Sequence, residues 1–205
     1  MQPIFSRNDY VDKIAFLNWR IDEEDQILNS LNIANGFLTS AIQLAKQALR
    51  DNGHKEADIT IFPILTNANH GIELYLKGII WILNSIIKVD SKIEGSHNIL
   101  QLYQTARAKV MDYNGDFTTE SFDRDNANLK NYIDELFSKI TAGKADNMDF
   151  SRYPMNGKGQ PHFYVYETGN VEVDLENFVS RFKQIHSNLE DMSDYLYHQV
   201  LHGDR

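Results

Sequence analysis

Ile72-Glu73-Leu74-Tyr75-Leu76-Lys77-Gly78-Ile79-Ile80-Trp81-Ile82-Leu83-Asn84-Ser85-Ile86-Ile87 is the stretch on which the reading of this chain turns. Wound as a helix it is apolar on nearly every side, so it must be contacted on several faces and sit at the centre of a bundle. Its most apolar window runs from Gly78 to Ile87 and carries Asn84 and Ser85. At about ten residues it is too short for a bilayer, which takes about 20. The helix is expected over residues 64–88, entered near Pro63.

Outward from it, residues 22–50 place Ile27, Leu31, Ala34, Leu38, Ala41, Leu44, Ala45 and Ala48 at three- and four-residue steps, one buried stripe. Asp22, Glu23, Glu24 and Asp25 crowd the first turn, where the helix dipole favours negative charge, and Gly53 follows the end. A shorter helix is expected from Asp9 with Val11, Ile14, Ala15 and Leu17. Past the central segment, helices are expected over 97–111 (Ile99, Leu100, Tyr103 and Ala106 inward) and 125–140 (Leu129, Tyr132, Ile133, Leu136, Phe137 and Ile140), the second closed by Gly143. Residues 112–123 read as a polar connection. The last helix starts with Asp174 as N-cap and runs to 201 through Leu175, Phe178, Val179, Phe182, Ile185, Leu189, Met192 and Leu196.

Residues 144–173 differ. They hold two of the four prolines and two alternating runs, 163–166 and 171–173, around Thr168-Gly169-Asn170, which predicts a short β-hairpin before the last helix. The expectation is an all-α, up-and-down bundle of about five to six helices, one domain over 1–205 with its N-terminal helices in 9–52.

With 42% hydrophobic and 24% charged residues among 205, the chain is composed like a globular protein, not a disordered one. Cys 0 removes disulfides, thiolate nucleophiles and zinc–thiolate sites. A net charge of -9 argues against avid binding of duplex DNA, which needs clustered Lys and Arg. No basic start followed by an apolar run is read at the N-terminus, and a cytoplasmic location with no membrane partner is expected.

Three segments in order resemble the HEPN family: Ala68-Asn69-His70-Gly71-Ile72-Glu73-Leu74-Tyr75-Leu76-Lys77-Gly78, Gly95-Ser96-His97-Asn98-Ile99-Leu100-Gln101-Leu102, and Ser151-Arg152-Tyr153-Pro154. They resemble that family's "A…EL.LKA" helix, the "GHDL..L" start of the next helix, and the "RYP" element before the final one. The resemblance covers about residues 59–201. It implies a small helical bundle, often a homodimer, associated with nucleotides, RNA or nucleotidyltransferase-like proteins, frequently in defence or toxin–antitoxin settings. Many members are metal-independent ribonucleases with an Arg-x(4–6)-His motif. Near Arg152 nothing fits, since His162 is the next histidine. The one match is Arg181-Phe182-Lys183-Gln184-Ile185-His186, with Phe where the family has a polar residue.

Glu73 and Lys77, at i and i+4 on the apolar helix, sit where an unanswered charge costs several kcal/mol. Arg152 is the partner expected for Glu73. Glu73, Lys77, His97, Arg152 and Tyr153 thus form the candidate ligand or structural network. An antiparallel hairpin of the helices over 64–88 and 97–111 would hold His70 and His97 far apart. Arg181 and His186, the candidate catalytic pair, lie about 140° apart around a helix axis and could converge only across a dimer. Asp194, His198 and His202 share a face, but that is too few ligands to assign a metal. Tyr153, Tyr164 and Tyr166 could stack on bases or simply cover the core. No cofactor is called for. The leading expectation is a non-catalytic binding module, nucleotide- or partner-associated; the alternatives are a ribonuclease acting through Arg181 and His186, and an interaction protein without a ligand.

Overall fold

The computed structural model describes residues 3–90, 95–142 and 148–203. Seven α-helices are found among them: α1 (Gln26–Arg50), α2 (Ala57–Ile86), α3 (Ile99–Tyr113), α4 (Thr119–Asp125), α5 (Ala127–Ala142), α6 (Phe163–Tyr166) and α7 (Leu175–Asp194). A π-helical stretch, Tyr195–Leu201, prolongs α7 without a break. The chain is all-α, and no strand occurs among the described residues.

Local chemistry sets most helix ends. Asp25 caps α1 by accepting from the Leu28 N–H, Asn98 caps α3 through Leu100 and Gln101, and Asp174 caps α7 through Asn177, as anticipated for that helix. Asn114 ends α3 with φ 48, a left-handed conformation that Asn tolerates. The acidic run 22–24 therefore precedes α1 instead of forming its first turn.

α2 is the central rod, packed against α1, α3, α7, the 3₁₀ turn Met148–Ser151 and the π-helical end. It starts seven residues earlier than its apolar pattern, and Pro63 lies inside it. Proline there deprives the Ile59 carbonyl of its donor, but Ile59 is 75% exposed, so water can serve that oxygen. α1 runs antiparallel to α2 at close range: a Cβ on Gly71 would stand 2.7 Å from Leu38 Cγ, and one on Gly78 2.7 Å from Leu31 Cδ2. Glycine at these two positions lets the helices approach.

α7 is antiparallel to α1, with Asn35 donating to Glu190 at 2.7 Å and the Tyr197 hydroxyl donating to Asp25. α7 and α2 therefore share a direction. α5 crosses over α7, Tyr132 meeting Phe182 edge-on at 4.8 Å. The stripes expected on α1, α3, α5 and α7 face this core, with Leu38, Ala106, Ile133 and Leu189 wholly buried.

Four expectations are corrected. The helix from Asp9 is only a 3₁₀ turn, Val11–Lys13, with no buried residue. The 112–123 connection contains α4, whose buried Phe122 packs on Tyr103 at 5.2 Å. In place of a hairpin, Phe163–Tyr166 is one helical turn, and among the described residues the only local pairing is the isolated bridge Met155–Pro161. A strand would send Phe163 and Tyr164 to opposite faces, whereas the turn sets Phe163 against Phe150 (5.7 Å) and Tyr164 against Phe62 (5.5 Å). Finally, α3 does not form an antiparallel hairpin with α2. His97 meets Glu73 midway along α2, and Phe117, just past α3, packs on Tyr195 at the far end of α7. α3 is therefore parallel to α2, and His97 stands about 20 Å back along it from Ile86, at 1.5 Å per helical residue. Gly143 and residues 144–147 lie outside the described residues.

Candidate functional site

Thr66, Asn69, His70, Glu73 and Lys77 recur at three- and four-residue steps along α2, a polar stripe on an otherwise apolar rod. Glu73 is its centre and is 8% exposed. Its Oε1 accepts from Lys77 Nζ at 3.0 Å and meets His97 Nδ1 at 2.9 Å, while His70 Nδ1 stands 3.7 Å from Oε2. Burial alone would push this carboxyl up. The nearby His70 imidazole, the hydrogen bonds from Lys77 and His97 and the Lys77 charge outweigh burial and hold it down at about 2. Glu73 and Lys77 are thus an enclosed ion pair, their side chains 11% and 12% exposed, with two imidazoles at the rim.

The parallel course of α3 brings His97 here, so His70 and His97 flank one carboxylate, contrary to the distant placement expected of them. Arg152 is also corrected. Its guanidinium pairs with Asp149, three residues back in the same turn, and not with Glu73. Lys77 and the histidines already surround Glu73, and Arg152 on its short turn is satisfied locally. Tyr153 is 58% exposed, with the Arg152 guanidinium 5.9 Å from its ring centroid.

Glu73, His97 and Arg152 nonetheless line one cavity of about 180 Å³, with Asn69, His70 and Phe37. The Thr66 hydroxyl, donating to Ser151 Oγ at 3.0 Å, closes another wall. Asn69 is 6% exposed; its Oδ1 accepts from the Tyr132 hydroxyl at 2.6 Å, which fixes the amide, and its Nδ2 has no partner. Burial holds the Tyr132 phenol above its ordinary value, so it stays protonated and keeps a proton to donate. Sequence reasoning treated Asn69 and His70 as incidental, although their spacing with Glu73 was on view. Tyr132 gave no such signal, because only the packing of α5 against α3 and α7 lets its hydroxyl reach α2.

Arg181 and His186 turn to different neighbours. Arg181 lies 3.5 Å from Glu135 on α5. His186 faces Tyr75 at 6.1 Å and lines a shallow groove with Thr39, Lys46 and Glu190. Burial pushes its imidazole down, against the pull of Glu190, and its Nε2 has no partner. Within one chain the two do not converge. Among the described residues no three His, Asp or Glu side chains are grouped to hold a metal ion; His198 and His202 pack edge-on against Tyr197. No described helix is long and apolar enough to cross a membrane.

Comparison of the chain with protein-family models, curated proteins and solved structures returns no match.

Proposed function

We propose that this chain is a non-catalytic helical binding module of HEPN-like type, nucleotide-associated, with its ligand site at the cavity beside Glu73. One observation carries the reading. The three segments that resemble the family, far apart in sequence, each contribute to this cavity: Asn69, His70 and Glu73 from the first, His97 and Ile99 from the second, Ser151 and Arg152 from the third. A purely structural network would satisfy its own members, yet Asn69 Nδ2 is buried without a partner, a state that costs about 1–3 kcal/mol. The experiment is calorimetric titration of the full chain with nucleoside mono- and triphosphates. Heat that saturates with one of them, and is lost in Glu73→Gln, supports the reading; no binding by any nucleotide rejects it.

The reading includes a homodimer. It is favoured by the arm preceding α1, where Ile4, Phe5, Leu17 and Trp19 are 95%, 89%, 81% and 78% exposed. Asn29 and Asn32 on α1 tie only its base, at Asp22 and Arg20. At roughly 150–250 Å² per aromatic side chain, reciprocal packing of two such arms on two copies reaches the roughly 1,200–2,000 Å² of a stable interface. Light scattering should give twice the chain mass, falling to one chain mass in Phe5→Asp/Trp19→Asp; a monomeric wild type would reject the dimer.

A further inference from the structure

The cavity's electrostatics and its unspent hydrogen-bonding groups say which part of a nucleotide it fits. A phosphate site needs cationic donors in excess. Here each cation is already answered: Lys77 by Glu73, Arg152 by Asp149, and both histidines face Glu73. What is unspent is neutral in character. Glu73 Oε1 takes both close contacts, which leaves Oε2 with only His70 at 3.7 Å and with capacity to accept. One turn earlier on the same face, Asn69 lines the same cavity and keeps its buried Nδ2 donor unspent. Residues at i and i+4 hold their Cβ atoms about 5–6 Å apart, so an acceptor and a donor stand side by side with the Phe37 ring as an apolar wall. At about 30 Å³ per water, 180 Å³ holds roughly six waters. That suits one heterocyclic ring system and is well below the roughly 300–1,000 Å³ of sites for larger ligands.

Resting on the nucleotide-associated reading above, we infer that the cavity receives the hydrogen-bonding edge of a nucleobase. Glu73 Oε2 accepts from a base N–H, Asn69 Nδ2 donates to the adjacent carbonyl oxygen or ring nitrogen, and sugar and phosphate stay outside at the His97 rim. Tyr132 acts as a positioning residue: by donating to Asn69 Oδ1 it turns Nδ2 into the donor.

The test is titration of the full chain with the four ribonucleosides, with the best binder methylated at its Watson–Crick nitrogen, and with ribose 5-phosphate and inorganic pyrophosphate. At least one unmodified nucleoside should bind, the methylated form at least tenfold more weakly, and the two phosphates not at all. Asn69→Asp, which keeps the acceptor for Tyr132 and deletes the donor, should also weaken binding about tenfold, the equivalent of 1.4 kcal/mol. The methylated ligand asks the same question of an unaltered protein, should that variant fail to fold. Binding of pyrophosphate or ribose 5-phosphate without binding of nucleosides would overturn base recognition while sparing the nucleotide-associated reading. Equal binding of the methylated nucleoside would overturn the assigned edge. Silence from every nucleoside and every nucleotide would overturn both.

Discussion

Glu73→Gln removes one charge and preserves shape, which makes it the sharpest probe of the α2 network. The variant leaves Lys77, whose side chain is 12% exposed, facing a neutral amide 3.0 Å away. Removing one member of a fully buried ion pair costs about 3–5 kcal/mol, because the other charge stays desolvated and unanswered. The His97 side chain beside it is 75% exposed, so water reaches part of this network and a loss of about 2–3 kcal/mol is expected. For a chain of this length that corresponds to a fall in Tm of roughly 4–12 °C. The pH dependence has a definite sign. The folded carboxyl sits at about 2, below the ordinary 4.5, so its contribution is fully present above pH 4.5 and is lost as pH falls toward 2. The stability gap between wild type and Glu73→Gln, followed by thermal melts monitored by circular dichroism, should be constant from pH 5 to 7 and close below pH 3. Adding Lys77→Met to Glu73→Gln should recover much of the loss, since the orphaned charge is gone. A Tm shift smaller than about 2 °C at pH 7, or a gap that does not change with pH, would refute the enclosed ion pair.

Other outcomes follow from single contacts. Gly71→Ala should destabilise by about 1–3 kcal/mol in urea denaturation, because the new Cβ would meet the Leu38 backbone N at 3.0 Å as well as its side chain. Gly78→Ala should cost clearly less, since it presses only on the movable Leu31 side chain and gains helix propensity; equal losses would contradict the close approach at Gly71. Asp25→Ala removes both the cap of α1 and the acceptor for the Tyr197 hydroxyl, and should cost at least about 1 kcal/mol. Labelled single-stranded RNA incubated with the protein should stay intact; cleavage that disappears in His186→Ala would replace the non-catalytic reading with the ribonuclease one.

Helix existence was written locally. The stripe from Ile27 to Ala48, and that from Phe178 to Leu196, have a period that only a helix can bury; the second is buried throughout, the first from Leu31 to Ala41 and at Ala45, with Ile27, Leu44 and Ala48 half-buried. α4 was missed because it is a single capped heptad held by one buried residue, Phe122, whose partner Tyr103 comes from another helix. The expected hairpin failed for a related reason. Alternation at Phe163-Tyr164-Val165-Tyr166 signals a strand only if one face meets a core, and here Phe62 and Phe150 draw adjacent rings to the same side. At the candidate site, the Glu73–Lys77 pair was legible from its i, i+4 spacing within apolar surroundings. The choice of Arg152 as its partner was not, because nothing local distinguishes a guanidinium that reaches across from one satisfied by Asp149 three residues away.

The sequence by itself determined the all-α character, the central position of α2 and the need to neutralise Glu73, because periodicity and desolvation act within a few residues. Only the tertiary structure decided that α3 runs parallel to α2, that His70 and His97 therefore share one carboxylate, and that Tyr132 aims the Asn69 amide. Those are matters of chain path, and the path is fixed by long-range packing that leaves no local period in the residues it brings together.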